Sequence, residues 1–207
     1  MTKRTTMTTT AGALVIDALG TQVRVKVDGP RAEDVNRHLL RAWARCREGR
    51  LSRAGDTVRV ATHTGTDPIA VLPDVTVRVT RALIGAQTGR LLMLHAGAVC
   101  HPSTGRSLVY VAEGGAGKTT LTRALAQRYG YLTDETVAID DEDRVLAYPK
   151  PLSMRPAPTS TADCVCRGPG TPWLPKQEHS PDDLGLVRAP AVATVARLVL
   201  LDRVDDH

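Results

Sequence analysis

The stretch Val109–Leu125, VYVAEGGAGKTTLTRAL, sets three glycines, a lysine and two threonines between a β-branched run and a helical one. From Ala112 to Thr119 it follows the phosphate-loop pattern G-x-x-x-x-G-K-[ST] at every defined position except the first, where alanine stands for glycine. The spacing has a physical reason. Consecutive backbone N–H groups converge on one anion only in conformations that glycine tolerates. A helix that starts directly afterwards turns its unpaired N–H groups and partial positive charge toward the same anion. The pattern predicts a polyphosphate cradle from Gly114, Gly115, Ala116, Gly117, Lys118, Thr119 and Thr120. Lys118 would add a full charge toward the β- and γ-phosphates, and the Thr119 hydroxyl would hold Mg²⁺.

The alternative is a glycine-rich turn that happens to precede a lysine, and the flanking sequence argues against it. Ser107 to Ala112 reads as a buried strand, and Thr119 to Tyr129 as a helix with Leu121 and Leu125 on one side. Gly130 takes the position that ends such a helix. Before the loop, Leu91 to Val99 is a continuous apolar run suited to a strand covered on both faces. After it, Thr133-Asp134-Glu135 enters a strand over Thr136 to Asp140. Two adjacent carboxylates can divide labour, one toward Mg²⁺ and one toward an attacking hydroxyl as general base: Asp134 is the candidate metal ligand, and Asp134 or Glu135 the candidate catalytic group. Acidic pairs at loop–strand junctions are common on ordinary surfaces; the loop ahead of this pair makes it a candidate site. A charged turn at Asp140–Asp143 leads to a strand at Val145 to Tyr148. Residues 156–190 are rich in Pro and Gly and read as one long loop, and Ala193 to Leu201 reads as a buried strand.

Residues 1–10 read as a disordered tail, and residues 11–73 as a small β-β-α-β module. Ala13–Ile16 and the alternating Val23, Val25 and Val27 are strands joined by a turn at Asp17–Gly20. Ala32, Val35, Leu39, Ala42 or Trp43, and Cys46 recur at helical spacing, which predicts a helix over Arg31–Arg47 that Gly49 ends, with Trp43 on its packing surface. Thr57–Ala61 alternates as a strand. Asp74 is a plausible N-cap for a helix to about Gly89, with a strand as the alternative over the β-branched Val75–Val79. Residues 74–207 then make up the nucleotide-binding unit, and the fold class is α/β.

Bulk composition narrows the classes. Of 207 residues, 42% are hydrophobic and 24% charged, ordinary for a globular protein of one domain plus an appendage. Phe is absent and aromatics total 3%, so the core is built from Val, Leu and Ala, and stacking platforms for single-stranded nucleic acid are poorly supplied. The net charge of +5 favours anionic partners, but the basic residues are scattered and no recognition helix is evident. No run of 18 apolar residues and no signal-peptide pattern is present, which points away from the membrane and to the cytoplasm. Cys164-Val-Cys166, with His179 as a conceivable third ligand, is only a weak zinc signal.

Taken together, LHAGAV, VYVAEGGAGKTTLTRAL, GYLTDETVAID and VLAYPKPLSMRP resemble the catalytic domain of HPr serine kinase/phosphorylase, and most closely the small HPr-kinase-like proteins of bacteria. The likeness is close over about residues 91–156 and loose over 190–201. It implies a phosphoenolpyruvate-carboxykinase-like P-loop core, ATP with Mg²⁺, and transfer to a serine hydroxyl of a peptide, small protein or small molecule. It also implies that His95, which by itself reads as a core histidine, faces the phosphates, and that Asp134-Glu135 stands for the family's two aspartates. Arg155 could face the phosphates too, or lie on the surface. The family assembles as oligomers, which implies a homo-oligomer here. It also continues beyond the equivalent of Leu201, so the C-terminal part of the family domain is expected to be absent. That absence keeps a second reading open: a nucleotide-binding accessory protein that acts with a partner.

Overall fold

The computed structural model describes residues 13–48, 55–155 and 175–202. Leu19 and Gly20 both take positive φ, 52° and 70°, the two-residue connection whose twist matches that of paired strands. β1 (Leu14–Ala18) and β2 (Thr21–Asp28) accordingly pair antiparallel, with Ala18 opposite Thr21. α1 (Ala32–Ala42) follows, then a 3₁₀ turn at Ala44–Cys46 and β3 (Arg47–Glu48), which pairs with β1. The helix expected over Arg31–Arg47 is therefore shorter. Trp43 turns fully into the core, and Arg47 becomes extended to pair with Ile16. β4 (Thr57–Ala61) runs parallel to β2 and completes a four-stranded sheet in the order β3-β1-β2-β4.

α2 (Leu72–Gln87) starts two residues before Asp74, with Pro73 in its first turn. Asp74 is a first-turn acid rather than the cap, and it pairs with Arg78 at 3.4 Å. The strand alternative fails because Leu72, Val75, Val79 and Leu83 all point one way at helical spacing, into the core of the four-stranded sheet. In packing, then, α2 joins the first sheet, although the sequence division at residues 73 and 74 assigns it to the second unit. Tyr148 and Ala138 enter the same core, so the two halves share it.

The second sheet contains β5 (Leu92–Cys100), β6 (Arg106–Val111), β7 (Gly130–Thr133), β8 (Thr136–Ile139), β9 (Val145–Leu146) and β12 (Thr194–Leu200). Its order is β12-β6-β5-β8-β9, with β7 also on β5. Helix α3 (Lys118–Leu125) links β6 to β7, and β5 runs antiparallel to both. A small sheet pairs β10 (Leu152–Met154) with β11 (Gln177–His179). The α/β class holds, as a mixed arrangement of sheets with α-helices.

Several local expectations change. β5 is buried only from Ala96 onward, where both β6 and β7 pair with it; over Leu92–His95 it pairs with β8 alone among the described residues, and Leu92 is exposed. β12 is an exposed edge rather than a buried strand, with Leu200 77% exposed. α3 stops at Leu125, and Gly130 opens β7 instead of capping the helix; a Cβ there would lie 2.7 Å from Ala189 Cα. Of the predicted loop 156–190, residues 156–174, including Cys164 and Cys166, lie outside the described residues. The remainder supplies β11 and a turn that Arg45 ties down. The Arg45 side chain is almost wholly buried, and its Nε donates to Asp182 Oδ1 at 2.8 Å.

Candidate functional site

The loop between β6 and α3 needs its glycines for conformation. Gly115 and Gly117 take φ of 87° and 95°, a region that disfavours side chains. A Cβ on Gly114, Gly115 or Gly117 would meet nothing within 4 Å, so the face of the loop is open space. Ala116 plays a different part: its N–H donates to Glu113 O at 3.3 Å and closes the turn, and it does not line the cleft in front. Lys118, the first residue of α3, is buried, and its Nζ arches back to donate to Ala112 O at 2.6 Å and Glu113 O at 2.9 Å. The helix is tied to the sheet by Thr122, whose hydroxyl bonds Lys118 O at 2.8 Å and the Tyr110 hydroxyl.

One hydrogen bond reaches out of the loop. Thr119 Oγ1 donates to Asp134 Oδ2 at 3.0 Å. Asp134 is 4% exposed, at the end of β7, and its Oδ1 accepts from Tyr131 Oη at 3.2 Å and pairs with Lys150 Nζ at 3.0 Å. Glu135 follows with a half-exposed side chain, and its Oε2 lies 3.2 Å from the same Nζ. His95 sits beside the pair: it registers with Thr136 across β5 and β8, while Ala96 N–H donates to Glu135 O at 3.1 Å. It is exposed rather than a core histidine.

No sequence motif marks Lys150 beyond the bend at Pro149-Lys150-Pro151. Tyr148 places it. The Tyr148 ring packs against Trp43 with centroids 6.2 Å apart, and its hydroxyl shares a 2.7 Å hydrogen bond with Thr80 of α2. Burial by itself would push the Lys150 ammonium down, but Asp134, Glu135 and Glu178 outweigh it and hold the ammonium above the ordinary lysine range. Glu178 of β11, hydrogen-bonded to Ser153, is pushed up by burial while Lys150 opposes the shift. Burial and then Asp134 push the Tyr131 hydroxyl well above its usual value, so it stays a donor.

The loop and the acidic pair face one cleft of about 860 Å³. Its walls include Gly114, Gly115, Gly117, Lys118, Thr119 and Thr120 on one side, and His95, Asp134, Glu135 and Lys150 on the other. Arg123 and the exposed Arg155 also line it. No family model matches the chain, and no curated protein matches it. Amides and cations on one wall, with an acidic pair on the other, suit an anionic ligand that carries a divalent ion. Thr119 Oγ1 and the Asp134 carboxylate are the oxygens that could hold such an ion. Among the described residues no group of three or more His, Cys, Asp or Glu could hold a metal, so further ligands would come from the anion and water. No helix among the described residues is long and apolar enough to cross a membrane.

Proposed function

We propose that the protein is an ATP- and Mg²⁺-dependent phosphotransferase of the HPr-kinase-like type, which moves the γ-phosphoryl group to a hydroxyl acceptor. The reading is carried by the 3.0 Å hydrogen bond from Thr119 to Asp134, which joins the glycine loop to the acidic pair. A loop that binds phosphate and a carboxylate that would hold Mg²⁺ need this proximity, because the ion would neutralise phosphate charge while Thr119 and Asp134 hold it. The open face over Gly114, Gly115 and Gly117 and the cleft volume fit a nucleoside triphosphate. Support also comes from the four motifs that resemble the family, and with them a phosphoenolpyruvate-carboxykinase-like core.

In this reading the loop amides and the N-terminus of α3 bind the phosphates, and Lys118 swings from its loop carbonyls onto the β- and γ-oxygens. Mg²⁺, when bound, neutralises charge on the phosphates. Asp134, buried with both oxygens engaged, is the metal-side carboxylate. Glu135, with 43% of its side chain exposed, is the base that can reach an acceptor. The acceptor oxygen bonds to the γ-phosphorus while the bond from that phosphorus to the bridging oxygen breaks. The electron pair leaves on ADP, and the acceptor proton passes to Glu135. His95 faces the transferred group and donates to its oxygens.

The test is incubation with γ-labelled ATP and candidate hydroxyl acceptors, with Lys118→Ala and Asp134→Asn in parallel. Transfer by the unaltered chain that both substitutions abolish is the expected result; transfer that survives both would refute the reading. A non-catalytic nucleotide-binding accessory role is the second reading. It is favoured by the contact of Lys150 with both carboxylates, which leaves neither without a cationic neighbour. Nucleotide binding with no transfer to any acceptor would select it.

A further inference from the structure

Helix α2 carries two stripes. Leu72, Val75, Val79 and Leu83 are buried, while Val77, Arg81 and Ile84 line a separate groove of about 420 Å³ against Met93 and Leu94 of β5. Val77 is 46% exposed, an apolar side chain on a helix that has already buried its core stripe. Val77, His95 and Glu135 line both this groove and the large cleft, so the two open into each other at the residue assigned as base. We propose that this groove is the acceptor subsite, and that it takes an extended peptide in which apolar residues and an acidic side chain accompany the phosphorylated Ser or Thr.

The proposal rests on the phosphotransfer reading and supplies what that reading lacks, the chemistry of the acceptor. Phosphates occupy the glycine-loop side of Glu135, so an in-line attacking hydroxyl arrives from the other side, where the groove lies. The groove walls select an apolar body through Val77, Ile84, Met93 and Leu94. From Val77 to Ile84 the stripe runs roughly 10 Å at the helical rise, about the length of three extended residues. That span suits a short peptide segment. Charge complements it: Arg78 is paired with Asp74, whereas Arg81 is exposed on the groove wall with no ion pair among the described residues. A carboxylate on the peptide would find its partner there.

The experiment measures binding of two synthetic seryl peptides to the full chain, with and without a non-hydrolysable ATP analogue and Mg²⁺. One peptide carries two leucines and an aspartate after the serine, and the other carries lysines at those positions. The unaltered protein should prefer the first by about tenfold or more, and Arg81→Glu and Ile84→Asp should each remove about that factor. Neither residue lines the nucleotide cleft, so affinity for the analogue should stay unchanged in both variants. Equal binding of the two peptides, no binding of either, or a preference that survives both substitutions would overturn the proposal. If the analogue itself fails to bind the unaltered protein, the nucleotide reading falls and the acceptor role with it. That result is separate from loss of peptide selectivity.

Discussion

Lys150 Nζ lies 3.0 Å from Asp134 Oδ1, and the side chains are only 1% and 3% exposed. An ammonium and a carboxylate are thus held out of water directly beneath the glycine loop. Such a pair contributes little net stability against an apolar replacement, because both charges lose their hydration. Its significance is positional. The same Nζ reaches Glu135 Oε2 at 3.2 Å and Pro151 O at 3.1 Å, so one cation spaces two carboxylates and anchors them to the bend.

Removing one partner of that pair leaves a buried charge without compensation. Lys150→Met should destabilise the fold by about 3 kcal/mol, read from urea unfolding. Adding Asp134→Asn to it should recover part of the loss. A single variant as stable as the parent would mean that the pair is not buried as described.

In the proposed phosphotransfer reading, Thr119 and Asp134 would hold the metal. Thr119→Val should therefore weaken binding of magnesium nucleotide by about tenfold in calorimetry, a loss of about 1.4 kcal/mol. Binding of the metal-free nucleotide in excess chelator should change much less. Equal loss under both conditions would assign Thr119 to the phosphates alone.

Gly97 tests the packing of α3 on the sheet. A Cβ there would collide with the Tyr110 ring and lie 2.8 Å from Thr122 Oγ1. Gly97→Ala should cost about 1–3 kcal/mol, the usual penalty of overpacking, and lower the thermal midpoint. A neutral outcome would place Tyr110 elsewhere.

The buried ionisable groups predict the alkaline limb of stability. Burial pushes the Cys100 thiol from 9.0 to about 11, and it pushes up Cys46, Tyr110, Tyr131 and Tyr148 as well. The unfolded chain releases these protons first, so the stability they confer is complete below pH 9 and is lost as the pH climbs through the folded values. Lys150, also held above its ordinary range, acts with the same sign. Urea midpoints should fall steadily from pH 9 to 11, and less steeply in Cys100→Ala. A midpoint that stays level across that window would contradict the burial of these groups.

Much of the site is legible in the sequence, for particular reasons. The loop from Ala112 to Thr119 and the strand and helix around it are local features, set by residues within one turn or one strand of each other. The placement of Asp134 and Glu135 at a strand junction was legible in the same way. Lys150 was not. A lysine between two prolines looks like a surface bend, and only the packing of Tyr148 on Trp43 and its bond to Thr80 carry it into the interior. Asp74, Gly130 and β12 depart from the sequence expectation for a related reason: a local pattern suggests a role for each, while its environment is set by segments distant in the chain.

The order of amino acids alone determined a turn within Asp17–Gly20, the amphipathic spacing of α1, and the glycine positions before α3, because backbone conformation and side-chain periodicity are properties of neighbouring residues. Tertiary structure decided which carboxylate is buried, which cation serves both, and that α2 offers a second stripe to a groove beside Glu135. Burial and charge pairing depend on what distant segments bring to one point in space, and no local spacing encodes that.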